Sequence, residues 1–340
     1  MTNSDISVLI PCRNEVQYIE KAVDSILNQE YPYGEIEVII IDGLSDDGTL
    51  EVIERLIHKD NRVKIVQNTA QTTPHAMNLG LKTAKYDLIL RIDAHAFAGQ
   101  DFLKNNYKAI TKGSDIMCAG GRINNIYENN ISEIIGYAMS CSFGVGNATF
   151  RVGGNEGFVD TVAFGVYKKE VFDKVGVFNE ELIRNQDDEL NFRITKQGYK
   201  ILYDPAIQSF YYVRASVGKL YKQYYQYGYW KVYVNRMHKT LTSVRQIIPV
   251  LFVLGLVLGA VLSLLVTSFA YLYVSGILFY IVLALVFGIK TTKSFKKGGM
   301  TALIFPVLHW SYGLGYLNGL LSFAILNRKP SSSKKTLSRS

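Results

Sequence analysis

Cysteine is scarce, with only Cys12, Cys118 and Cys141 in 340 residues. An odd count without metal-ligand spacing makes a poor disulfide framework, so buried or free thiols in a reducing compartment are expected. The N-terminus lacks a basic region leading into an apolar one. MTNSDIS is polar, so no signal peptide is expected and the first domain should stay in the cytoplasm. Acidic residues are missing from the C-terminal part: all 29 Asp and Glu precede the apolar tail. Nine of the 37 Lys and Arg lie from residue 246 onward, so the first 245 residues carry 28 basic groups and a net charge of −1, against +8 for the whole chain. A nucleic-acid binder would carry its excess on a folded surface, so no nucleic-acid partner is expected. With 48% hydrophobic and 19% charged residues, disordered, collagen-like and disulfide-scaffold classes are excluded. The length points to about two domains.

Charge is absent altogether from Gln246 through Ile289. As a helix this run would extend about 66 Å, roughly two crossings of a hydrocarbon core about 30 Å thick. Spans are expected at 247–267 and 269–289, with a turn at Thr267-Ser268. A third apolar stretch, about 300–326, contains His309 and Trp310 and is less uniform, so it either spans or is re-entrant. Lys290, Lys293, Lys296 and Lys297 favour a cytoplasmic loop before it. Arg328, Lys329, Lys334, Lys335 and Arg339 then oppose a third full crossing. The expected organisation is a domain over 1–216, an amphipathic interfacial helix region over 217–245, a transmembrane region over 246–327 and a basic disordered tail over 328–340. Lys219–Tyr233 holds six Tyr, which suits such an interfacial helix.

The first part alternates strand and helix signals. Ser7–Ile10 is a short apolar run ended by Pro11. Asn14–Gln29 has helical spacing, with Asn14 able to cap it. Glu37–Ile41 is a β-branched run, the mark of a strand buried on both faces. Helices at Gly48–His58 and His75–Lys82 then alternate with strands at Val63–Val66 and Leu88–Ile92. This alternation predicts an α/β domain with a parallel, doubly wound sheet. Ligands sit at the carboxyl ends of strands in such sheets, and polar clusters fall there: Pro11–Glu15, Asp42–Thr49 and Asp93–His95. Asp42 can accept a hydrogen bond from the imide N–H of a pyrimidine base. Asp93 and His95, two residues apart at a strand end, can converge on a Mn²⁺ or Mg²⁺ ion bridging a diphosphate. Asp187-Asp188-Glu189 suits a helix start, and one or two of these carboxylates can instead deprotonate a sugar hydroxyl.

Taken in order, SVLIPCRNE, IIIDGLSDDGT, AMNLG, RIDAHA, VDTVAFGVYKKEVFDKVGVFNEEL and NQDDELNFR resemble a family 2 glycosyltransferase of the GT-A fold, from Ser7 to about Trp230. The stretch from Gly144 to Tyr167, with NQDDELNFR, is most similar to the bacterial exopolysaccharide, succinoglycan-biosynthesis-type branch, as is the apolar tail. The resemblance implies a Rossmann-like, mostly parallel mixed sheet, followed by a helical membrane region. It places Pro11, Arg13, Glu15, Asp42, Asn78 and Asp93 at the nucleotide sugar. Asp93 matches the first acid of the DxD metal motif, and His95 stands where its last Asp normally is. Asp187 matches the catalytic base of the ED motif, with Gln186 replacing the Glu and Asp188 as its neighbour. Gln226 and Trp230 match the ends of the acceptor-side QxxRW motif, in which Tyr229 replaces the Arg.

The implied activity is inverting transfer of a single sugar from a nucleotide sugar, a UDP-hexose first, to a polyprenyl-diphosphate-linked saccharide in exopolysaccharide or capsule synthesis. The implied setting is a multi-pass plasma-membrane protein with a cytoplasmic catalytic domain, in contact with inner-membrane lipid. Rival readings are a polyprenyl-phosphate sugar synthase, a processive polysaccharide synthase and a catalytically inactive nucleotide-sugar-binding membrane protein.

Overall fold

In a computed structural model, residues 4–213, 216–242 and 244–329 are described. Lys334, Lys335 and Arg339 of the expected basic tail lie outside these residues, as do Met1, Thr2 and Asn3. The chain forms two compact units: Met1–Asn125 with Thr149–Tyr212, and Ile126–Ala148 with Val213–Ser340.

The first unit begins with β1 (Ile6–Cys12), α1 (Ile19–Leu27), β2 (Ile36–Asp42), α2 (Thr49–Lys59), β3 (Val63–Gln67), α3 (Thr73–Thr83) and β4 (Leu88–Arg91). It continues with β5 (Ala96–Ala98), α4 (Phe102–Ile110) and β6 (Ile116–Ile126). Later in the chain α5 (Asn130–Met139) and α6 (Ser142–Val145) belong to the second unit. The first unit resumes with α7 (Thr149–Val152), β7 (Gly157–Phe158), β8 (Ala163–Lys168), α8 (Glu170–Val175), α9 (Gln186–Lys196) and β9 (Lys200–Tyr212). These strands form one sheet in the order β3-β2-β1-β4-β8-β6-β9-β5, with β7 beside β9.

The β3-β2-β1-β4 half is parallel, as the strand-helix alternation predicts. From β4 onward the pairings of β8, of β6 with β8, and of β5 and β7 with β9 are antiparallel. The sheet is therefore mixed, as the GT-A resemblance implies, and the purely parallel reading is corrected. The alternating sequence pattern stops after β4, so it reports only on that half. Every residue of β2 is buried, matching its β-branched composition.

The expected cap of the first helix does not form. Asn14 adopts φ 55°, and its side chain exchanges hydrogen bonds with Asp46: Nδ2 donates to Oδ1 at 2.8 Å and Oδ1 accepts from the Asp46 N–H at 3.0 Å. Helix α1 starts five residues later, at Ile19. Both readings use the same Asn property, a short side chain that competes for backbone groups.

Helix α3 lies close to the sheet at Gly80. A Cβ there would sit 3.0 Å from both Leu9 Cδ atoms and 3.1 Å from Ile41 Cδ1. Leu9, Ile39, Ile41, Met77 and Tyr203 share the core cluster of this unit.

The second unit contains α5, α6, α10 (Val217–His238), α11 (Ile248–Leu265), α12 (Thr267–Thr292) and α13 (Phe295–Gly319). Helices α11 and α12 are long and apolar enough to cross a membrane, with mean hydropathies of 2.7 and 2.5. Only 17% and 11% of their most apolar windows are buried, so their side chains face outward, unlike those of a soluble core helix. The turn falls at Val266, and Thr267 opens the next helix. Helix α13 runs unbroken and continues into a π-helical turn at Leu320–Ile325, so this stretch does not double back on itself. Only α11 and α12, among the described residues, meet the length and apolarity a crossing needs.

Helices α10 and α13 approach closely at glycines. A Cβ on Gly228 would lie 2.1 Å from the Tyr312 carbonyl, and one on Gly315 only 2.0 Å from that of Tyr225. Small residues let helix backbones meet in this way. Asn235 secures the end of α10: its Nδ2 donates to Gln246 Oε1 at 3.0 Å and to Tyr316 Oη at 3.1 Å. Lys297 at the start of α13 pairs with Glu133 of α5 at 2.6 Å.

Gly80→Val is expected to destabilise the first unit by about 1–3 kcal/mol, because the added methyls must displace Leu9 and Ile41. A lower thermal midpoint of the purified full-length protein checks this, and an unchanged midpoint contradicts the close α3 contact.

Candidate active site

The site is built at the carboxyl ends of β1, β2 and β4. The loops after β1 and β2 are fastened together. Besides the Asn14–Asp46 exchange, the Asn14 N–H donates to Ser45 Oγ at 2.9 Å and the Glu15 N–H to Thr49 Oγ1 at 2.9 Å. Asp47 accepts from the Thr49 N–H at 3.0 Å. Its carboxyl lies below its ordinary range: burial alone would raise it, but hydrogen bonds from Thr49 and the Val16 N–H outweigh that.

Pro11 is half-buried in β1, in register with Ile41, and Arg13 is exposed. Asp42 ends β2 and is 1% exposed. Its Oδ2 accepts the Ser45 N–H at 3.1 Å and its Oδ1 the Ser45 hydroxyl at 2.5 Å. Asp42 thus shapes the loop on which it sits. Asn78 lies on α3 and is 6% exposed. Its Nδ2 donates to the Phe178 carbonyl at 2.9 Å and Glu180 Oε1 at 2.8 Å, and its Oδ1 accepts the Phe178 N–H at 3.0 Å. Its amide is committed to clamping α3 to the loop at Phe178.

Asp93 and His95 lie in the turn from β4 to β5, closed by the Ala96 N–H donating to the Asp93 carbonyl at 2.9 Å. His95 Nε2 is 3.9 Å from Asp93 Oδ2. The other ring nitrogen, Nδ1, is 3.0 Å from Glu15 Oε1, and Glu15 is 6% exposed. A carboxylate only accepts, so Nδ1 carries a proton toward Glu15 and Nε2 is the ring nitrogen on the side of Asp93. The ring also meets Tyr211 of β9 edge-on at 5.1 Å.

On the other side of Asp93 stands Arg91, the last residue of β4 and 7% exposed. Its Nη2 donates to Asp93 Oδ1 at 3.0 Å, and its Nη1 is 3.5 Å from Asp187 Oδ2 in the first turn of α9. Burial would lower the guanidinium pKa, but Asp93 and then Asp187 hold it above its ordinary value. Asp187 Oδ1 accepts the Asp188 N–H at 2.9 Å. Asp188 is half-buried. Glu189, 2% exposed, is paired with Arg193 at 2.8 Å one helical turn away. Asp187 is therefore the member of the acidic run that meets Arg91. Glu15, His95, Asp93, Arg91 and Asp187 form one continuous polar chain within the first unit.

Gln226 and Trp230 lie on α10 in the second unit. Trp230 is 2% exposed and buried beside Phe323, Tyr229 and Tyr233. Gln226 is half-buried.

The donor set fits a small divalent cation. The 3.9 Å between Nε2 and Oδ2 lies within the span of two metal–ligand bonds, since bonds of about 2.1 Å each reach roughly 4.2 Å. Among the described residues no group of three or more His, Cys, Asp and Glu is arranged to hold a metal. Asp93 and His95 would thus be a two-residue anchor, leaving positions for phosphate oxygens and water. Arg91 and the Glu15–His95 contact were not singled out from the sequence. A signal for Arg91 was present: a cation in the otherwise apolar Leu88–Ile92 run.

Comparison with known proteins shows the class of protein to which this fold belongs. Residues 7–176 match the model of glycosyl transferase family 2. The chain belongs to that family and is a glycosyltransferase. It is 38% identical over 231 residues to the dolichyl N-acetyl-alpha-D-glucosaminyl phosphate 3-beta-D-2,3-diacetamido-2,3-dideoxy-beta-D-glucuronosyltransferase of Methanococcus voltae, covering 66% of this chain and 71% of that one. It is 26% identical over 328 residues to the succinoglycan biosynthesis protein ExoA of Rhizobium meliloti, covering 95% and 97%. A solved mannosyltransferase from Pyrobaculum calidifontis, in complex with GDP-Man and Mn²⁺, shares the fold at 18% identity and a TM-score of 0.58, covering 95% of this chain and 87% of that one.

Glu15→Ala releases the His95 ring and is expected to weaken Mn²⁺ binding by about 10–100-fold, the usual effect of losing a carboxylate behind a ligating histidine. Electron paramagnetic resonance of free Mn²⁺ measures this without turnover; unchanged affinity would detach Glu15 from the cation site.

Proposed function

We propose that this glycosyltransferase moves a single sugar, with inversion, from a nucleotide sugar to a polyprenyl-diphosphate-linked saccharide at the cytoplasmic face of a membrane, in exopolysaccharide or capsule synthesis. The observation that carries the reading is the joining of Asp187 to the Asp93–His95 turn through one side chain. Direct displacement needs a proton acceptor and a site for the leaving diphosphate within reach of one sugar carbon.

In this reading Asp187 removes the proton of the acceptor hydroxyl as the bond to the anomeric carbon forms and the bond to the diphosphate breaks. Its Oδ1 is fixed by the Asp188 N–H, so Oδ2 is the oxygen that takes the proton. Asp188 belongs to this base site by supplying that N–H. Asp93 and His95 would hold a Mn²⁺ or Mg²⁺ ion. When bound, such an ion neutralises charge developing on the leaving diphosphate. Pro11, Arg13, Glu15 and Asp42 form the walls for the nucleotide, a UDP-hexose in the first instance. Gln226 and Trp230 are assigned to the acceptor side by their motif match alone, and Asn78 fixes the loop at Phe178 within the donor-binding unit.

The membrane assignment rests on α11 and α12, each apolar and outward-facing. Both are proposed to cross the plasma membrane, making the protein multi-pass with residues 1–216 as a cytoplasmic catalytic part. The segment 217–245 would lie near the headgroups, 246–327 in the membrane region and 328–340 as a basic tail. Lys290, Lys293 and Lys296 would face the anionic inner-membrane lipid surface. Anchoring an enzyme beside a lipid-linked acceptor raises their effective concentration. The Methanococcus voltae relative carries a dolichyl-linked sugar phosphate in its name, and the Rhizobium relative is named for succinoglycan biosynthesis. The first name supports a lipid-linked acceptor, and the second supports a place in exopolysaccharide synthesis.

The experiment supplies the full-length protein with radiolabelled UDP- and GDP-sugars and a membrane fraction carrying native lipid-linked intermediates. One labelled sugar should appear on a lipid-linked saccharide. Label on polyprenyl phosphate alone would mark a polyprenyl-phosphate sugar synthase, and long polymer a processive synthase. Asp187→Asn should keep Mn²⁺ binding and reduce transfer by about 10²–10⁴-fold, the usual cost of a lost general base. Near-normal transfer by this variant would contradict the assignment.

A further inference from the structure

We propose that Arg91 is the positioning residue of this active site, holding the general base Asp187 against the turn that carries Asp93. The inference rests on the reading of Asp187 as base and goes beyond it, since it concerns what aims that base.

Arg91 occupies a buried position. It ends a four-residue strand that is buried throughout, LILR, beside β1 and β8. A guanidinium is costly to bury unless its hydrogen-bonding groups find partners. Here its two terminal nitrogens diverge toward two acids 94 positions apart in sequence: Nη2 to Asp93 at 3.0 Å and Nη1 to Asp187 at 3.5 Å. Its Nε has no hydrogen-bond partner among the described residues. The side chain is thus committed at its outer end, where a planar fork can bridge two carboxylates and a lysine ammonium, as a point charge, cannot do so with the same geometry.

The bridge has two geometric consequences. It fixes Asp187 Oδ2 on the side of Asp93, while Oδ1 is occupied by the Asp188 N–H. It also engages Asp93 Oδ1, so that Oδ2 is the oxygen turned toward His95 Nε2. Without the cation between them, two like-charged carboxylates would repel, and Asp187, whose side chain is 35% exposed, could swing toward water. A buried ion pair can also serve stability alone. The two roles differ in their couplings: a positioning residue acts through Asp187, whereas a scaffold residue acts regardless of it.

The test uses full-length protein in nanodiscs, with the pool of radiolabelled UDP- and GDP-sugars and the native membrane fraction as substrates. Mn²⁺ affinity by electron paramagnetic resonance is the turnover-independent readout. Arg91→Met is expected to lower the transfer rate by about 100-fold, the scale set by misplacing a catalytic group by about 1 Å. Mn²⁺ affinity should change far less than the transfer rate, because losing the hold on Asp93 Oδ1 and losing a nearby positive charge act in opposite directions on the ion. In an Asp187→Asn background the same substitution should add little further loss. Arg91→Lys keeps the charge without the fork and should fold, with a rate between parent and Arg91→Met. Parent-like transfer by Arg91→Met and Arg91→Lys would overturn the proposal, as would equal fractional losses with and without Asp187. Transfer retained by Asp187→Asn would instead overturn the base assignment, so the two failures are distinguishable.

Discussion

One buried guanidinium at the end of β4 ties together two carboxylates of the first unit. Arg91 brings an acid from the β4–β5 turn together with an acid from the first turn of α9. Charge in an apolar strand is tolerable only with partners of opposite sign, so the position of Arg91 constrains both acids at once. The adjacent elements support that constraint. The β4–β5 turn is closed by its own backbone hydrogen bond, and β5 is registered on β9 from Ala96 to Ala98. Glu15, brought over by the first loop, holds the far side of His95.

The site therefore depends on elements that are remote in sequence. The first loop contributes Glu15, the β4–β5 turn Asp93 and His95, and the start of α9 Asp187. The loops after β1 and β2 would be free to part were they not tied by the Asn14–Asp46 and Glu15–Thr49 bonds. The same tie moves the start of α1 to Ile19. Local helix capping lost there to a contact that joins the loops after β1 and β2.

Much of this was legible because the signals were local. The β-branched run at Glu37–Ile41 identifies a buried central strand, and the spacing of Asp93 and His95 at a strand end brings a carboxylate and an imidazole side by side. The uncharged run from Gln246 yields α11 and α12, with the break displaced to Val266. The antiparallel half of the sheet was not legible from periodicity, since β6, β8 and β9 do not alternate with helices in a regular pattern. Which acid of Asp187, Asp188 and Glu189 joins the site depends on the phase of α9 against Arg91, which spacing alone does not fix. The i, i+4 relation of Glu189 and Arg193 did carry a clue that Glu189 is engaged within its own helix. Asn78 shows the opposite case: its motif is recognisable, but the amide is committed to Phe178 and Glu180. Trp230 is similar, a motif residue whose ring is buried among the aromatics of the second unit.

The most direct measurement is a structure of the full chain with Mn²⁺ and a non-transferable nucleotide sugar, with the ion located by its anomalous scattering. The account predicts an ion bound to Asp93 Oδ2 and His95 Nε2, the diphosphate on its open side, and Asp187 facing the anomeric carbon while still joined to Arg91. An ion bound elsewhere, or a sugar carbon out of reach of Asp187, would contradict it.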